Sequence, residues 1–556
     1  MANASDGSSL RDDYAARIAR VPEGARHGKV LEPGRLTESL EAILVPGDRV
    51  VIEGCNQKQA RHLAKALASL DQQRVHDLHM AMPSVVLDEH LDVFRRGIAR
   101  RLDFAFSGPQ AKPLAELVAA GTLEVGAIHT YAELYGRYCT DLTPRVALVA
   151  AEAADRDGNL YTAGNTEDTA LLCDVTHGRK GIVVAEVREI VDRVPRIDVP
   201  GDQVEFVVPT GEPTYVEPLF TRDPARITPQ QVLMAMMVIK GIYAEYGVRR
   251  LNHGIGHATA AVELLLPTYA AGLGLEGSIC THWVLNPHPT LIPAIESGFV
   301  RSVYSFGSEP GMEDYIAARQ DVFFTCHDGV LRSNRPRAHM AGHYATDCFV
   351  GSTLQIDGDG NSSTATLGRI AGFGGAPNLG CSPPGRRHAS LPWDRVGHEA
   401  DGGREGIRQG RKLVVQVVPT RVAKRDIPVF VKTLDAVAMA DEGLFASPPV
   451  MIYGDDVTHI VTEVGIAYLC RCAGNEERRH AIAAVAGDTL VGATAHAGET
   501  ARLRGGGAVA FPEDLGIDAS EADVGMLAAS SITDLARISG GRYRPPARFA
   551  APPAGS

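Results

Sequence analysis

Residues 45–70 read VPGDRVVIEGCNQKQARHLAKALASL, and no other run restricts the possible fold as much. A short apolar strand at 49–52 passes into a polar turn at 53–56. An amphipathic helix follows, with Ala60, Leu63, Ala64 and Leu67 at i, i+3, i+4 and i+7. Further apolar strands are expected at 146–150 and 182–187, with helical stretches between them. Strand and helix therefore alternate, the pattern of an α/β protein.

A second strand–loop–helix unit opens near residue 250, as RRLNHGIGHATAAVELLLPTYAAGL. Before it, Thr228, Pro229 and Gln231 form an N-cap, a first-turn proline and a capping-box partner. That helix runs through VLMAMMVIKGIYAEY and is expected to stop near Gly247. The two units point to two similar α/β lobes, although no residue-level repeat is read between them. The expected division is an N-terminal arm or surface helix at 1–35, a first lobe at 36–245, a second at 246–540 and a frayed Pro/Ala-rich tail at 541–556. The Gly-rich polar stretch 396–412 reads as a surface loop.

A chain of 556 residues with 45% hydrophobic and 22% charged residues is long enough for more than one packed core. Its net charge of -12 argues against general attraction to nucleic acid or anionic membrane. Nine irregularly spaced cysteines fit a reducing compartment better than a disulfide framework. The N-terminus is polar, and no apolar run approaches the ~18 residues that span a bilayer. A cytoplasmic location follows as the expectation.

Three segments carry chemical interest. The run GFGGAPNLG at 372–380 clusters glycines whose N–H groups could hold a phosphate or a developing oxyanion, or could simply form a tight turn. It is no dinucleotide fingerprint, because the position a third glycine would need is Pro377. In THIVTEVGIAYL, Glu463 reads as a turn-capping carboxylate rather than a general base. In AADRDGNLYTAGN, Asp157-Gly158 reads as the turn of a β-hairpin.

Taken in order with the EGCNQKQ loop, these segments resemble class I CoA-transferases and acetyl-CoA hydrolases. The resemblance is strongest to malonate decarboxylase alpha subunits, through VIEGCNQKQA, AAEAADRDGNLYTAGNTEDT and RIAGFGGAPNLG. It implies two CoA-transferase-like lobes, each an open, mainly parallel sheet with helices. It also implies exchange of acetyl-S-ACP plus malonate to malonyl-S-ACP plus acetate. The implied partners are an acyl carrier protein bearing a phosphoribosyl-dephospho-CoA arm and the decarboxylase subunits of the same complex, with no cofactor held covalently on this chain. Alternatives within that superfamily are a CoA-transferase or acyl-CoA hydrolase using free CoA thioesters, or a citrate lyase alpha-type transferase. Outside it stands a non-catalytic scaffold.

Relatives place a nucleophilic glutamate where this chain reads CTHWVLNPHPTLIPAIESG, which has no carboxylate before Glu296. Catalysis without an acyl-enzyme is therefore expected. The candidate oxyanion donors are Asn56, Gly374 and Gly375; the candidate substrate-binding residues are Gln57, His282, Asn286 and Asn378, with His288 a weaker choice. Gln57 could alternatively cap the helix that follows it. Cys280, His282 and His288 lack the spacing of a metal site, and none is expected. His253 and His257 read as lobe-interface residues. The densest basic run, Arg386, Arg387, Arg404, Arg408, Arg411 and Lys412, is a candidate carrier-docking patch or a solvated loop.

Overall fold

A computed structural model describes residues 6–55, 57–327, 329–331, 333, 335–338, 346–380, 412–422 and 426–549. Two sheets dominate it, and both are wound in the same way. In the first, Arg49–Ile52 is central. Leu78–Ser84, Ala99–Phe106 and Glu124–Ile128 step outward on one side; Val146–Asp155, Ile182–Val191 and Phe206–Pro209 step outward on the other. All of these pairings are parallel. In the second, Arg250–His253 is central, with His282–Val284 and Ser302–Tyr304 on one side. Cys348–Gly351, Leu413–Val417 and His459–Val461 lie on the other, again parallel, before two antiparallel strands close the edge.

Burial on both faces follows from the period of two along each strand. Val146, Leu148 and Ala150 pack under one helical layer, while Ala147, Val149 and Ala151 pack under the opposite one. In the second sheet Leu413, Val415 and Val417 face one core and Val414 the other. Strand 49–52 falls where the sequence put it. The 146–150 and 182–187 strands extend to Asp155 and Val191.

The lobes also repeat at residue level, which was not read from the sequence. Asp155 and Asp357 occupy matching turns. Each carboxylate accepts backbone N–H groups two and four residues on, at 3.1 and 3.0 Å for Asp155 and 3.0 and 2.9 Å for Asp357. Asn159 and Asn361 each return a side-chain bond to that aspartate, at 2.9 and 3.0 Å. Their Oδ1 atoms then accept from Gly201 and Gly454, at 2.8 and 2.9 Å. The shared text is Asp-x-Asp-Gly-Asn, with Gly158 and Gly360 both at positive φ (88° and 85°). The hairpin expected at Asp157-Gly158 is present, with Leu160–Tyr161 paired antiparallel to the strand before it.

Three expected boundaries move. The capping box of Thr228 and Gln231 forms as read. The helix it starts, however, belongs to the second lobe's core with Leu251, so the division falls between Pro209 and Ile227 rather than at 245. The sequence could not show this, because an all-apolar helix carries no stripe to say which sheet it covers. The 1–35 arm is integral: Val30 pairs with Val207, and the buried Arg17 guanidinium bonds Asp48. The 541–556 tail is packed as far as it is described. Tyr543 is buried, and Arg548 pairs with Glu217 at 2.5 Å.

Candidate functional site

The carboxyl ends of both sheets face each other, and between them lies a cleft of about 900 Å³. In wound α/β sheets ligands bind at the carboxyl ends of strands, where the strand order reverses. The second lobe contributes residues 252–257 after its central strand, Leu285 and Asn286 after the next, and 351–354 after Cys348–Gly351. The first lobe contributes Phe106 and Tyr131.

The glycine loop joins the two halves. Phe373 N and Gly374 N both donate to Ala105 O at 2.8 Å, Ser107 N donates to Ala371 O at 3.0 Å, and Tyr131 N donates to Gly374 O at 3.0 Å. A Cβ on Gly372, where φ is 78°, would lie 2.4 Å from Ala105 O. These glycines therefore permit a backbone crossing from the second half onto a strand end of the first. One expectation is corrected: the Gly374 N–H is engaged by Ala105, so it is no free oxyanion donor. Gly375 borders the cleft, and its N–H meets no acceptor among the described residues.

Behind this wall runs a buried amide–carboxyl chain. Asn286 Nδ2 donates to Gln57 Oε1, and Gln57 Nε2 donates to Glu309. Glu309 also accepts from Phe220 N at 3.2 Å, Thr221 N at 2.8 Å and Thr221 Oγ1 at 2.7 Å. Burial pushes the Glu309 carboxyl up to about 7, against the opposing pull of these donors. Asn286 borders the cleft, with its Oδ1 unmatched by any described donor. Gly307 lies against the chain; a Cβ there would sit 2.8 Å from both Asn286 Nδ2 and Glu167 Oε1.

A second buried carboxylate, Glu263, gathers His253 Nδ1 at 3.0 Å, His288 Nδ1 at 2.9 Å and the Thr290 hydroxyl. These partners outweigh its desolvation and hold it down at about 2. His253 is further fixed by the Tyr243 hydroxyl, and His288 stacks on Phe220, with ring centroids 5.2 Å apart. On the first-lobe side, buried Arg335 pairs with Glu167 at 3.0 Å and lies 4.9 Å over the Tyr131 ring. Glu263, Glu309 and Arg335 were not singled out from sequence. Their spacing carries no local pattern, since each reaches its partner across the fold.

The structure brings together Gly374, Gly375, Asn286 and, one contact behind them, Gln57. Gln57 does not cap the following helix, which starts at Arg61; it belongs to a small hairpin of Gly54–Cys55 and Lys58–Gln59. Buried Glu53 and Lys58, 3.0 Å apart, pin that hairpin. Asn56 lies outside the described residues. His282 is corrected: it sits exposed at the amino end of its strand, bonded to Thr281 Oγ1 at 2.8 Å, whereas the cleft is at the carboxyl end. Asn378 is also set apart, since the helix turns Ala376 and Leu379, not Asn378, toward the cleft. His253 and His257 both border the cleft between the lobes. Glu463 does not cap its own turn; its carboxylate accepts from Thr420 N at 3.0 Å and from the Thr420 hydroxyl. Of the basic run only Lys412 is described, and it is buried.

The carboxylates bordering the cleft are Glu217, tied to Arg548 and Tyr215, and Asp223, which caps a turn at Ala225 N. Glu296 is held by the Tyr315 hydroxyl at 2.7 Å and by Arg319, away from the cleft. Among the described residues, no unengaged carboxylate stands where an acyl-glutamyl intermediate would form.

Two similarly wound parallel sheets closing their carboxyl ends on one cleft define a CoA-transferase-type fold. A citrate lyase alpha subunit structure from Streptococcus mutans shares it at a TM-score of 0.58 and 16% identity, covering 83% of this chain and 82% of that one. More specifically, the chain belongs to the family described as malonate decarboxylase, alpha subunit, transporter, whose model matches residues 7–551. A Malonomonas rubra protein named acetyl-S-ACP:malonate ACP transferase is 56% identical over 543 residues, 97% of this chain and 98% of that one. A chain in the crystal structure of a Pseudomonas malonate decarboxylase hetero-tetramer in complex with malonate is 54% identical. Its TM-score is 0.93, with 98% of this chain and 99% of that chain covered.

Proposed function

We propose that this chain is the acyl-exchange subunit of a biotin-independent malonate decarboxylase, converting acetyl-S-ACP and malonate to malonyl-S-ACP and acetate. Near-complete alignment at 56% identity with a protein named for that transfer carries the reading. The carrier's thioester, on a phosphoribosyl-dephospho-CoA arm, enters the cleft between the lobes. The chain works in the cytoplasm beside decarboxylase subunits; no described helix is long and apolar enough to cross a membrane.

The chemistry needs no enzyme nucleophile. A malonate carboxylate oxygen attacks the acetyl carbonyl carbon, giving a tetrahedral oxyanion. The C–S bond then breaks, leaving a mixed acetyl–malonyl anhydride and the carrier thiolate. The thiolate attacks the malonyl carbonyl and the anhydride C–O bond breaks, releasing acetate and forming malonyl thioester. No proton is gained or lost overall. Holding the malonate carboxylate against the thioester, and then the thiolate against the anhydride, supplies effective concentration. The Gly375 N–H supports each oxyanion, with the Asn56 amide as the second donor; losing one such donor lowers rate by ~10²–10³. Asn286, held by Gln57, which Glu309 holds in turn, orients the acid. Among the described residues, the unengaged Gly375 N–H and the lack of a free carboxylate bordering the cleft support this route.

The test is acyl exchange by the isolated chain, given acetylated carrier and malonate, citrate or buffer. Malonyl-carrier formed only with malonate is the expected result. Transfer to free CoA in its place overturns the reading in favour of a CoA-transferase.

A further inference from the structure

Five arginines border the cleft: Arg222, Arg226, Arg335, Arg369 and Arg548. Arg335 is neutralised by Glu167 and Arg548 by Glu217, while Arg226 and Arg369 are exposed. Arg222 differs from all of these. It is partly buried, and its Nη1 donates only to main-chain carbonyls, Leu219 O at 2.6 Å and Thr221 O at 2.8 Å. No described carboxylate lies within ion-pair distance of it, and its Nε and Nη2 meet no acceptor among the described residues. The two carbonyls therefore fix the guanidinium by one corner and leave the Nε–Nη2 edge unfilled. That edge is a planar two-donor fork matched to a carboxylate. Burial also lowers its pKa, because desolvation outweighs the more distant pull of the Glu309 and Glu263 carboxylates.

The same segment is tied to the catalytic wall. Thr221 and Phe220, on the amino side of Arg222, donate to Glu309, which holds Gln57 and through it Asn286. We infer that Arg222 is the specificity determinant for a dicarboxylate. Its open fork takes the carboxylate that does not attack the thioester, while Asn286 and the Gly375 N–H face the reacting end. This inference rests on the proposed exchange activity and names how the acid is selected. A monocarboxylate such as acetate has no second group for the fork, so the loss of Arg222 weighs on malonate and little on acetate.

The experiment compares wild type, Arg222→Gln and Arg222→Lys in two assays with the same acetylated carrier: malonate-dependent exchange, and exchange of labelled acetate into the acetyl-carrier. Removal of a bidentate charged pair raises the KM for malonate roughly 10–100-fold in R222Q. The acetate exchange changes little, and R222K recovers part of the loss because it restores charge without the fork. Thermal stabilisation of the chain by malonate over acetate, present in wild type and lost in R222Q, reads the same contact without turnover. An equal fall in both exchanges, a raised KM for carrier instead of malonate, or unchanged malonate stabilisation overturns the assignment. A wild type that binds malonate through Arg222 yet fails to exchange overturns the activity and leaves the contact standing.

Discussion

At the scale of single residues, the same amino acid means different things depending on what lies opposite it. Gly372 and Gly374 stand two apart in one loop, yet their substitution has unequal consequences. A Cβ on Gly372 meets a main-chain carbonyl at 2.4 Å, which cannot move without breaking the crossing onto the first lobe. On Gly374 it meets the Tyr131 ring at 3.4 Å, leaving mainly the positive-φ penalty of ~1–2 kcal/mol. Gly372→Ala is therefore expected to lower the melting temperature more than Gly374→Ala and to abolish acyl exchange. A melting comparison of the two variants checks this, and equal shifts would contradict it. His282→Ala should change neither stability nor malonate KM beyond the ~0.5 kcal/mol of an ordinary surface change. The glycine cluster was visible in the sequence as a special backbone. That one N–H would be consumed by Ala105 was not, because the partner lies some 270 residues away.

At the scale of elements, strand and helix positions followed from periodicity, and the capping box at Thr228 and Gln231 formed as read. The EGCNQKQ run did not become a bare turn. Glu53 and Lys58 neutralise each other in the interior, and Tyr215–Val216 supplies a third strand to the hairpin. The paired Asp-x-Asp-Gly-Asn turns were in the text all along, but five residues 202 apart are hard to tell from chance before both are seen closing the same hydrogen bonds. Asn159→Ala and Asn361→Ala should each cost ~1–3 kcal/mol, since each strands a glycine N–H and an aspartate oxygen. With the turns in separate lobes the double variant should show the sum within ~0.5 kcal/mol. Denaturant titration of the two single variants and the double variant measures both numbers.

For the whole molecule, buried carboxyls set how stability follows pH, and two act in opposite directions. Glu309 is raised to about 7, so the folded chain holds its proton more tightly than the unfolded one does. Its contribution is present below the ordinary glutamate range and is lost as pH rises toward about 7. Glu263 is lowered to about 2, so its contribution is present above that ordinary range and fades as pH falls. Melting curves across the acid-to-neutral range should show Glu309→Gln gaining on wild type as pH rises, by an amount on the order of 3 kcal/mol. Glu263→Gln should lose against wild type near neutrality and approach it in acid. Parallel curves for all three proteins would contradict both assignments. Because Glu309 accepts from Gln57 of the first lobe and from Thr221, and Gln57 in turn accepts from Asn286, its titration also bears on how the lobes close.

The sequence by itself determined the alternating α/β architecture, the two lobes, the glycine loop as an exceptional backbone and, through motif resemblance, the family. Each of these is written in local spacing, where chain connectivity brings the residues together. Only the tertiary structure decided that the lobes divide near residue 210–227, that the terminal segments are built in, and that His282 and Asn378 stand off the cleft. It alone assembled Glu263, Glu309 and Arg222, whose roles depend on burial and, for Glu309, on Gln57 far away in the chain. Burial and long-range pairing are properties of the packed chain, and the linear order of residues does not encode them locally.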